Sequence, residues 1–153
     1  MKNLNVTLQE LSGENNNWYD CCKLKLTEEQ QEFFEPNAIS IAHSKFEPTL
    51  QPLAIYLEDK VVGFLMYNSV PEELDAIWIY RIMIDADYQN QGIGKIAAKL
   101  MLDKIAELPS AKRIVYAYRP ENLASAALAK SLGFIDHGDR FGHEIATIKE
   151  LEK

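Results

Sequence analysis

The stretch that decides the fold reads Ile79-Tyr80-Arg81-Ile82-Met83-Ile84-Asp85 and, two residues later, Tyr88-Gln89-Asn90-Gln91-Gly92-Ile93-Gly94-Lys95. Its apolar half predicts a strand over residues 76–84, and apolar residues at helical spacing after the glycines predict a long helix over 91–108. Glycines let a ligand approach the backbone closely. The first turn of a helix offers unpaired N–H groups and a partial positive charge. This strand, turn and helix therefore predict a site for a phosphate or pyrophosphate, with Lys95 adding charge at its rim.

Two other phosphate-binding turns fit this spacing less well. A P-loop has four residues between its glycines, whereas a single residue separates Gly92 from Gly94. A dinucleotide fingerprint begins directly after its strand, whereas a polar loop over 85–91 intervenes here, and its third glycine falls on Ala97. A tight turn whose glycines serve packing alone is the alternative to a ligand site.

The remaining chain alternates between strand and helix signals. Predicted strands span 4–11, 53–57, 61–67, 113–118, 134–136 and 144–148, and predicted helices follow Asn15 to Asn17, Thr27 and Pro36, and span 122–132. Pro48 and Pro52 are predicted to bound a loop. This order predicts one mixed α/β domain over residues 1–153, with a mostly antiparallel sheet of six to seven strands flanked by helices. The segment 76–118 is predicted to form a single right-handed parallel crossover.

Composition and charge exclude several classes of function. The chain is 47% hydrophobic and 25% charged, as in globular proteins, and no run approaches the roughly 20 apolar residues of a membrane span. Residues 1–5 lack a signal-peptide pattern, so we expect a cytoplasmic protein with no membrane partner. The formal net charge of −7 disfavours nucleic acid and suits a cationic substrate. Two adjacent cysteines, Cys21 and Cys22, with no histidine cluster beside them, predict free thiols and no metal site.

Two motifs in the right order resemble those of the GNAT acetyltransferases. The run from Gln89 to Gly94 is similar to the family's Gln/Arg-x-x-Gly-x-Gly/Ala signature, and Asn122, Ser125, Leu128 and Leu132-Gly133-Phe134 are similar to its Asn-x-x-Ala-x-x-Leu-Tyr-x-x-x-Gly-Phe helix. The resemblance covers about the whole chain. Three further stretches most resemble the bacterial spermine/spermidine (diamine) acetyltransferase branch: Asn37-Ala38-Ile39-Ser40, Gly63-Phe64-Leu65-Met66-Tyr67 and Tyr80-Arg81-Ile82-Met83-Ile84-Asp85.

The resemblance implies acetyl-CoA as cosubstrate and assigns residues to it. Ile82 and Ile84 would offer backbone groups to the pantetheine arm, and the Met83 N–H would stabilise the developing oxyanion. Asn122 would reach the pantetheine or its sulfur end, and the strands over 76–84 and 113–118 would separate to admit the arm. The residues that would wrap the pyrophosphate are Gln89, Asn90, Gln91, Gly92, Ile93, Gly94 and Lys95. The resemblance also implies a homodimer.

One position departs from the family pattern. A tyrosine that protonates the leaving thiolate commonly follows the leucine of the second motif, and this chain has Ala129 there. The candidate replacements are Tyr80, Tyr116 and Tyr118. Tyr116 and Tyr118 point to the same face of their strand because side chains alternate with a period of two. Tyr118, nearest the end of the strand, is predicted to be the acid.

The acceptor is predicted to be a primary amine that attacks the thioester directly in a ternary complex. An alkylammonium with a pKa near 10.4 must first lose a proton, which a carboxylate acting through water can take. Glu35, Glu72 and Tyr80 are predicted to contact the acceptor, and the base is left open among the carboxylates of the early helices and of residues 72–75. A small polyamine is favoured over a protein or peptide amine, and a CoA-binding module with little activity is the third hypothesis.

Overall fold

A computed structural model describes residues 4–152, so residues 1–3 and 153 of the predicted domain lie outside the description. The strands are β1 (Val6–Glu10), β2 (Leu50–Leu57), β3 (Lys60–Asn68), β4 (Ile77–Ile84), β5 (Arg113–Tyr118), β6 (Ile135–Phe141) and β7 (Glu144–Glu150). The α-helices are α1 (Asn17–Cys22), α2 (Glu28–Gln31), α3 (Asn37–Phe46), α4 (Ile93–Ala106) and α5 (Leu123–Ser131). That these residues form a single domain stays a prediction.

The strands form one mixed sheet. Within the described residues it has seven strands in the order β1-β2-β3-β4-β5-β7-β6. β4 and β5 are parallel and are connected through α4, while the other neighbouring pairs are antiparallel. The mixed α/β class and the single parallel crossover are therefore confirmed.

β4 and β5 separate along their length. Their ladder holds only three residue pairs, from Ile77 with Ile114 to Ile79 with Tyr116, although β4 continues to Ile84. On its other side, β4 pairs with β3 as far as Ile84, with a register shift that leaves Tyr80 as an extra residue. Such a bulge bends its strand and increases the local twist. The bulge thus lies where β4 leaves β5, and the two strands enclose a split that is open toward the start of α4.

Apolar side chains cover both faces of the sheet. On one face, Ile77, Ile79 and Ile82 belong to the same buried cluster as Ala97 and Met101 of α4. On the other face, a second cluster joins Phe64, Met66 and Met83 to Cys21 of α1 and is completed by Ile41 of α3. Full burial of such side chains contributes about 1.5–3 kcal/mol each. The central strands are therefore fixed from both sides, which makes the split a stable feature.

Several element boundaries differ from the sequence predictions, for local reasons. β2 begins at Leu50 rather than 53 and includes Pro52, since β1 pairs with β2 only from Leu53 onward and the missing N–H of Pro52 faces no strand there. α4 begins at Ile93 because Gly92 adopts the left-handed conformation. β6 extends to Phe141 instead of ending at 136, because its polar residues pair with β7 at the sheet edge.

Candidate active site

A cavity of about 280 Å³ occupies the split between β4 and β5, at the start of α4. The turn before α4 and the helix's first residues line one end, β4 lines the side, and α2 and α5 contribute the other walls. The lining residues are Leu26, Gln30, Phe34, Ile82, Met83, Ile84, Tyr88, Gln89, Asn90, Gly92, Ile93, Gly94, Lys95, Tyr116, Asn122, Ala124, Ser125 and Leu128. Nearly all residues predicted to bind a cosubstrate are thus brought together; Gln91 is exposed on the turn and is not part of the lining.

The glycine turn has the backbone that an anion requires. Gly92 is the N-cap of α4 with φ of 86°, and a Cβ placed on it would meet no atom within 4 Å. Asn90 also has positive φ, at 63°. The first-turn N–H groups of α4 lack intrahelical partners and carry the positive end of the helix dipole. This end of the cavity therefore fits a pyrophosphate.

Gln89 closes the turn against two neighbouring elements. Its Nε2 donates to the Ile84 carbonyl oxygen at 2.9 Å and to Gln30 Oε1 at 2.8 Å, while Gln30 Nε2 donates back to Gln89 Oε1 at 3.1 Å. The side chain of Gln89 therefore fixes the turn to β4 and to α2, and it orders the wall on which a ligand would lie.

The register of β3 and β4 decides which backbone groups face the split. The Asp85 N–H donates to the Val62 carbonyl oxygen at 2.8 Å, and hydrogen-bonded pairs alternate along an antiparallel ladder. Met83 therefore directs its N–H toward β3, whereas Ile82 and Ile84 direct theirs into the split. The predicted roles of Ile82 and Ile84 suit this geometry, but the Met83 N–H is committed to the ladder and is the wrong group for an oxyanion.

Polar groups of β5 and α5 form the far end of the cavity. Asn122 is buried and caps α5, its Oδ1 accepting from the Ser125 N–H at 3.2 Å. The Tyr116 hydroxyl donates to Ser125 Oγ at 3.1 Å. Burial raises the pKa of Tyr116 to about 12, and its hydrogen bond with Ser125 acts in the opposite direction. Tyr118 lies outside this lining, with its ring centroid 5.9 Å from that of Tyr116.

A second cavity, of about 330 Å³, flanks the same split. Its lining combines three carboxylates with aromatic rings: Glu72, Glu73, Glu144, Trp78, Tyr80, Phe141, Ile79 and Ala117. The Tyr80 hydroxyl donates to Glu72 at 2.8 Å, and partial burial raises the pKa of Glu144. Trp78, Ala117 and Phe141 pack in a cluster separate from that of Tyr116, so this cavity opens on the opposite face of the sheet. Of the predicted acceptor residues it includes Glu72 and Tyr80.

Glu35 lies apart from both cavities. It is exposed after α2, and its charge acts on Arg81, a buried side chain whose Nε donates to Asn37 Oδ1 at 2.6 Å. Burial lowers the pKa of Arg81 to about 10. The Arg81 guanidinium also lies over the ring of Phe34, 5.0 Å from its centroid. Glu35 thus belongs with the group that fixes the wall of the first cavity.

Sequence reasoning missed several lining residues. Gln30 and Phe34 come from a segment whose capping box at Thr27 indicated a helix but no contact with the glycine turn. Trp78, Phe141 and Glu144 meet only because β7 inserts between β5 and β6, an order that strand patterns do not give. The motif includes Ser125 but does not predict the contact of its hydroxyl with Tyr116.

Among residues 4–152, no group of three His, Cys, Asp or Glu side chains is placed to hold a metal ion. None of the helices in that range has the length and apolar character needed to cross a bilayer.

Comparisons with known proteins agree on one family of enzymes, the GNAT acetyltransferases. A profile of the Acetyltransferase (GNAT) family matches residues 14–134. The spermine/spermidine N(1)-acetyltransferase of Bacillus subtilis is 30% identical over 134 residues, covering 84% of this chain and 88% of that protein. The ribosomal protein bS18-alanine N-acetyltransferase of Salmonella typhimurium is 28% identical over 106 residues, covering 65% and 69%. The crystal structure of spermidine N-acetyltransferase from Vibrio cholerae in complex with CoA and spermine has a TM-score of 0.71 at 12% identity, covering 94% of this chain and 92% of that one.

Proposed function

Since this chain belongs to the GNAT family of acetyltransferases, we propose that it transfers an acetyl group from acetyl-CoA to a primary amine of a small cationic acceptor, a polyamine. The observation that carries the acceptor class is the second cavity, where three carboxylates and three aromatic rings surround the open split. Carboxylates attract ammonium groups, and aromatic faces bind cations as well.

In this proposal the first cavity holds the pyrophosphate and the pantetheine arm of acetyl-CoA. The Gly92 turn and the first turn of α4 would hold the pyrophosphate, with Lys95 at the rim. The backbone groups of Ile82 and the N–H of Ile84 would pair with the amides of the pantetheine arm, as a neighbouring strand does, while the Ile84 carbonyl oxygen accepts from Gln89. The bound cosubstrate supplies an activated acetyl thioester. The Ile82 N–H, directed into the split, is the backbone donor proposed for the thioester oxygen.

The acceptor would approach from the opposite face. Glu72, Glu73 and Glu144 would hold its ammonium groups and, through water, remove the proton that blocks attack. The Tyr80 hydroxyl, bonded to Glu72, would position that carboxylate. Neither Cys21 nor Cys22 lines either cavity, so the two thiols have no part in the proposed chemistry. In this proposal the amine attacks the thioester directly.

The test is release of CoA from acetyl-CoA, followed with a thiol reagent over a panel of amines. Spermine, spermidine, a monoamine of equal length and an N-terminal peptide make up the panel, and enzyme without acceptor serves as the blank for Cys21 and Cys22. Saturable release with a polyamine, with kcat/KM well above that of the monoamine, supports the proposal. CoA binding by calorimetry without release for any amine would leave a CoA-binding module instead.

A protein or peptide amine is the second candidate acceptor. Ile39 and Phe46 of α3 are 50% and 86% exposed, and the ring of His43 between them lies 6.2 Å from that of Tyr80. An exposed apolar stripe beside the acceptor side suits a peptide side chain. Phe46→Ser separates the two candidates, because it would lower kcat/KM for the peptide while leaving that for spermine unchanged.

Location and assembly are part of the proposal. A cytoplasmic location suits the free thiols of Cys21 and Cys22. The homodimer implied by the family resemblance stays a prediction, which the mass in solution measured by light scattering would test.

A further inference from the structure

We propose that Tyr116, paired with Ser125, is the proton donor to the leaving sulfur in this protein. The proposal rests on the acetyl transfer proposed above. It assigns the acid to a β5 hydroxyl in a chain whose α5 has Ala129 at the position where the family resemblance implies a tyrosine.

The position of Tyr116 follows from the shape of the split. A pyrophosphate at the Gly92 turn would lie beside Ile84, and the arm would run back along β4 toward the point where the strands rejoin. That point is the pair of Ile79 with Tyr116, the last residues of the parallel ladder. Ile82, whose N–H is the proposed donor to the thioester oxygen, lies on this path and lines the same cavity as Tyr116 and Ser125. The reacting end of the arm is therefore placed between Ile82 and Tyr116.

Tyr116 fills the space beside the face of α5 that carries Ala129. Ser125 and Ala129 are four residues apart on α5 and so share one helix face. Ala129 is buried and belongs to the same cluster as Tyr116 and Phe134. The Tyr116 ring lies 6.0 Å from Phe134, and its hydroxyl lies 3.1 Å from Ser125 Oγ. A small residue at 129 leaves room for a tyrosine from the strand, so the phenol reaches the cavity from β5.

The surroundings of Tyr116 suit a donor. Its hydroxyl is protonated at neutral pH, since an ordinary phenol already has a pKa near 10 and burial raises that of Tyr116 further. Ser125 can turn its own proton toward the phenolate oxygen once the phenol proton has left, which stabilises the charged form. The other hydroxyl and ammonium groups of the lining, those of Tyr88 and Lys95, belong to the turn and the first residues of α4, at the pyrophosphate end. Tyr88 is moreover covered by Lys60, whose Nζ lies 5.1 Å from its ring centroid.

The proposed transfer step balances in bonds, electrons and protons. The amine nitrogen forms a bond to the acetyl carbon, the carbon–sulfur bond breaks with its electron pair on sulfur, and the Tyr116 proton moves to that sulfur. The proton that the nitrogen loses restores the phenol through Ser125 and solvent. The net reaction converts amine and thioester into amide and thiol, with no further reactant.

Tyr116→Phe and Tyr118→Phe form a matched pair for the test, since both residues lie on one face of β5. We expect Tyr116→Phe to lower kcat about 100-fold or more, as loss of a general acid does, with little change in the KM of acetyl-CoA. Tyr118→Phe should stay close to wild type. Melting temperatures of both variants report whether the fold is intact.

A second readout needs no turnover. The pKa of the CoA thiol in its complex with the protein is measured from the ultraviolet absorbance of the thiolate. A hydroxyl that contacts the sulfur stabilises the thiolate, so Tyr116→Phe should raise this pKa by about one unit or more and Tyr118→Phe should not. Ser125→Ala, which keeps the phenol, should lower kcat about tenfold by removing a hydrogen bond to the charged oxygen.

The outcomes separate this inference from the proposed function. If wild type releases CoA, and Tyr116→Phe retains both its kcat and the thiol pKa of wild type, Tyr116 is not the donor. A large loss in Tyr118→Phe alone would assign the role to Tyr118. If wild type acetylates no amine, the proposed function fails, while an upward thiol pKa shift in Tyr116→Phe would still place this hydroxyl at the sulfur.

Discussion

Gly94→Ala should leave both stability and cosubstrate binding close to wild type. A Cβ on Gly94 would have Ile84 Cγ1 as its nearest neighbour at 3.5 Å, which is ordinary van der Waals contact, and Gly94 has no positive φ. Alanine exceeds glycine in helix propensity by up to about 1 kcal/mol, so the free energy of unfolding should stay equal or rise. For a domain of this size the melting temperature would then rise by no more than about 2–4 °C.

Binding should change little. The added methyl group points toward Ile84, a cavity-lining residue, and the GNAT signature that this turn resembles has either glycine or alanine at this position. The Kd for CoA should therefore stay within about threefold of wild type, a difference of less than about 1 kcal/mol.

The assay is titration calorimetry with CoA beside thermal melting of the same samples. Gly13→Ala is the matched control, since a Cβ there meets no atom within 4 Å and Gly13 is remote from the cavity lining. A Kd weaker by about tenfold or more in a folded Gly94→Ala protein, with Gly13→Ala unchanged, would refute the match of this turn to the signature. A weaker Kd in both variants would mean that the effect is not local.

Three further predictions concern single groups. Glu144→Gln should raise the KM of a polyamine but not that of acetyl-CoA. Because desolvation raises the pKa of Glu144, wild type should lose acceptor affinity on acidification at a higher pH than it would with an ordinary carboxylate at this position. A thiol reagent at pH 8 should modify Cys22 well before Cys21, which should react only after denaturant is added, because burial raises the pKa of Cys21 to about 12; equal rates would contradict the packing around α1. Asn37→Ala should lower the free energy of unfolding by about 1–3 kcal/mol in urea, because the buried Arg81 Nε loses its acceptor at 2.6 Å; a smaller loss would mean that water replaces the amide.

The fold was predictable where local chemistry acts alone. The capping box at Thr27 is present and Asn122 caps α5, as the sequence predicts. α4 follows the glycine turn that was predicted to precede a long helix. The extent of β2 and β6 was not predictable, because it depends on neighbouring strands. Pro52 is tolerated where β1 has ended, and the polar β6 is a strand only because β7 provides a partner.

The sequence predicts more of the cosubstrate half of the site than of the catalytic half. Gly92 and Gly94 are singled out by residue type and spacing, and the structure places both in the lining of the first cavity, while their role in binding phosphate stays a prediction. Choosing between Tyr116 and Tyr118 requires the depth of each side chain in the split, which a period of two does not supply. The aromatic and acidic lining around Glu144 requires the strand order, which alternating apolar residues do not encode.

One irregularity of β4 accounts for the arrangement of the whole site. The extra residue at Tyr80 ends the ladder to β5 after Ile79, and the strands beyond it diverge. The same divergence leaves the backbone groups of Ile82 and Ile84 without a strand partner and opens the sheet to both faces. In the proposed reaction, the extended pantetheine arm would take the place of the missing strand beside β4. The amine would reach the split from the side of the sheet that carries the carboxylates. The bulge in β4 therefore determines where the cosubstrate and the acceptor would meet. Deletion of Tyr80 should abolish CoA binding and acetyl transfer together. Tyr80→Phe keeps the bulge and loses only the hydrogen bond to Glu72, so it should weaken acceptor affinity alone.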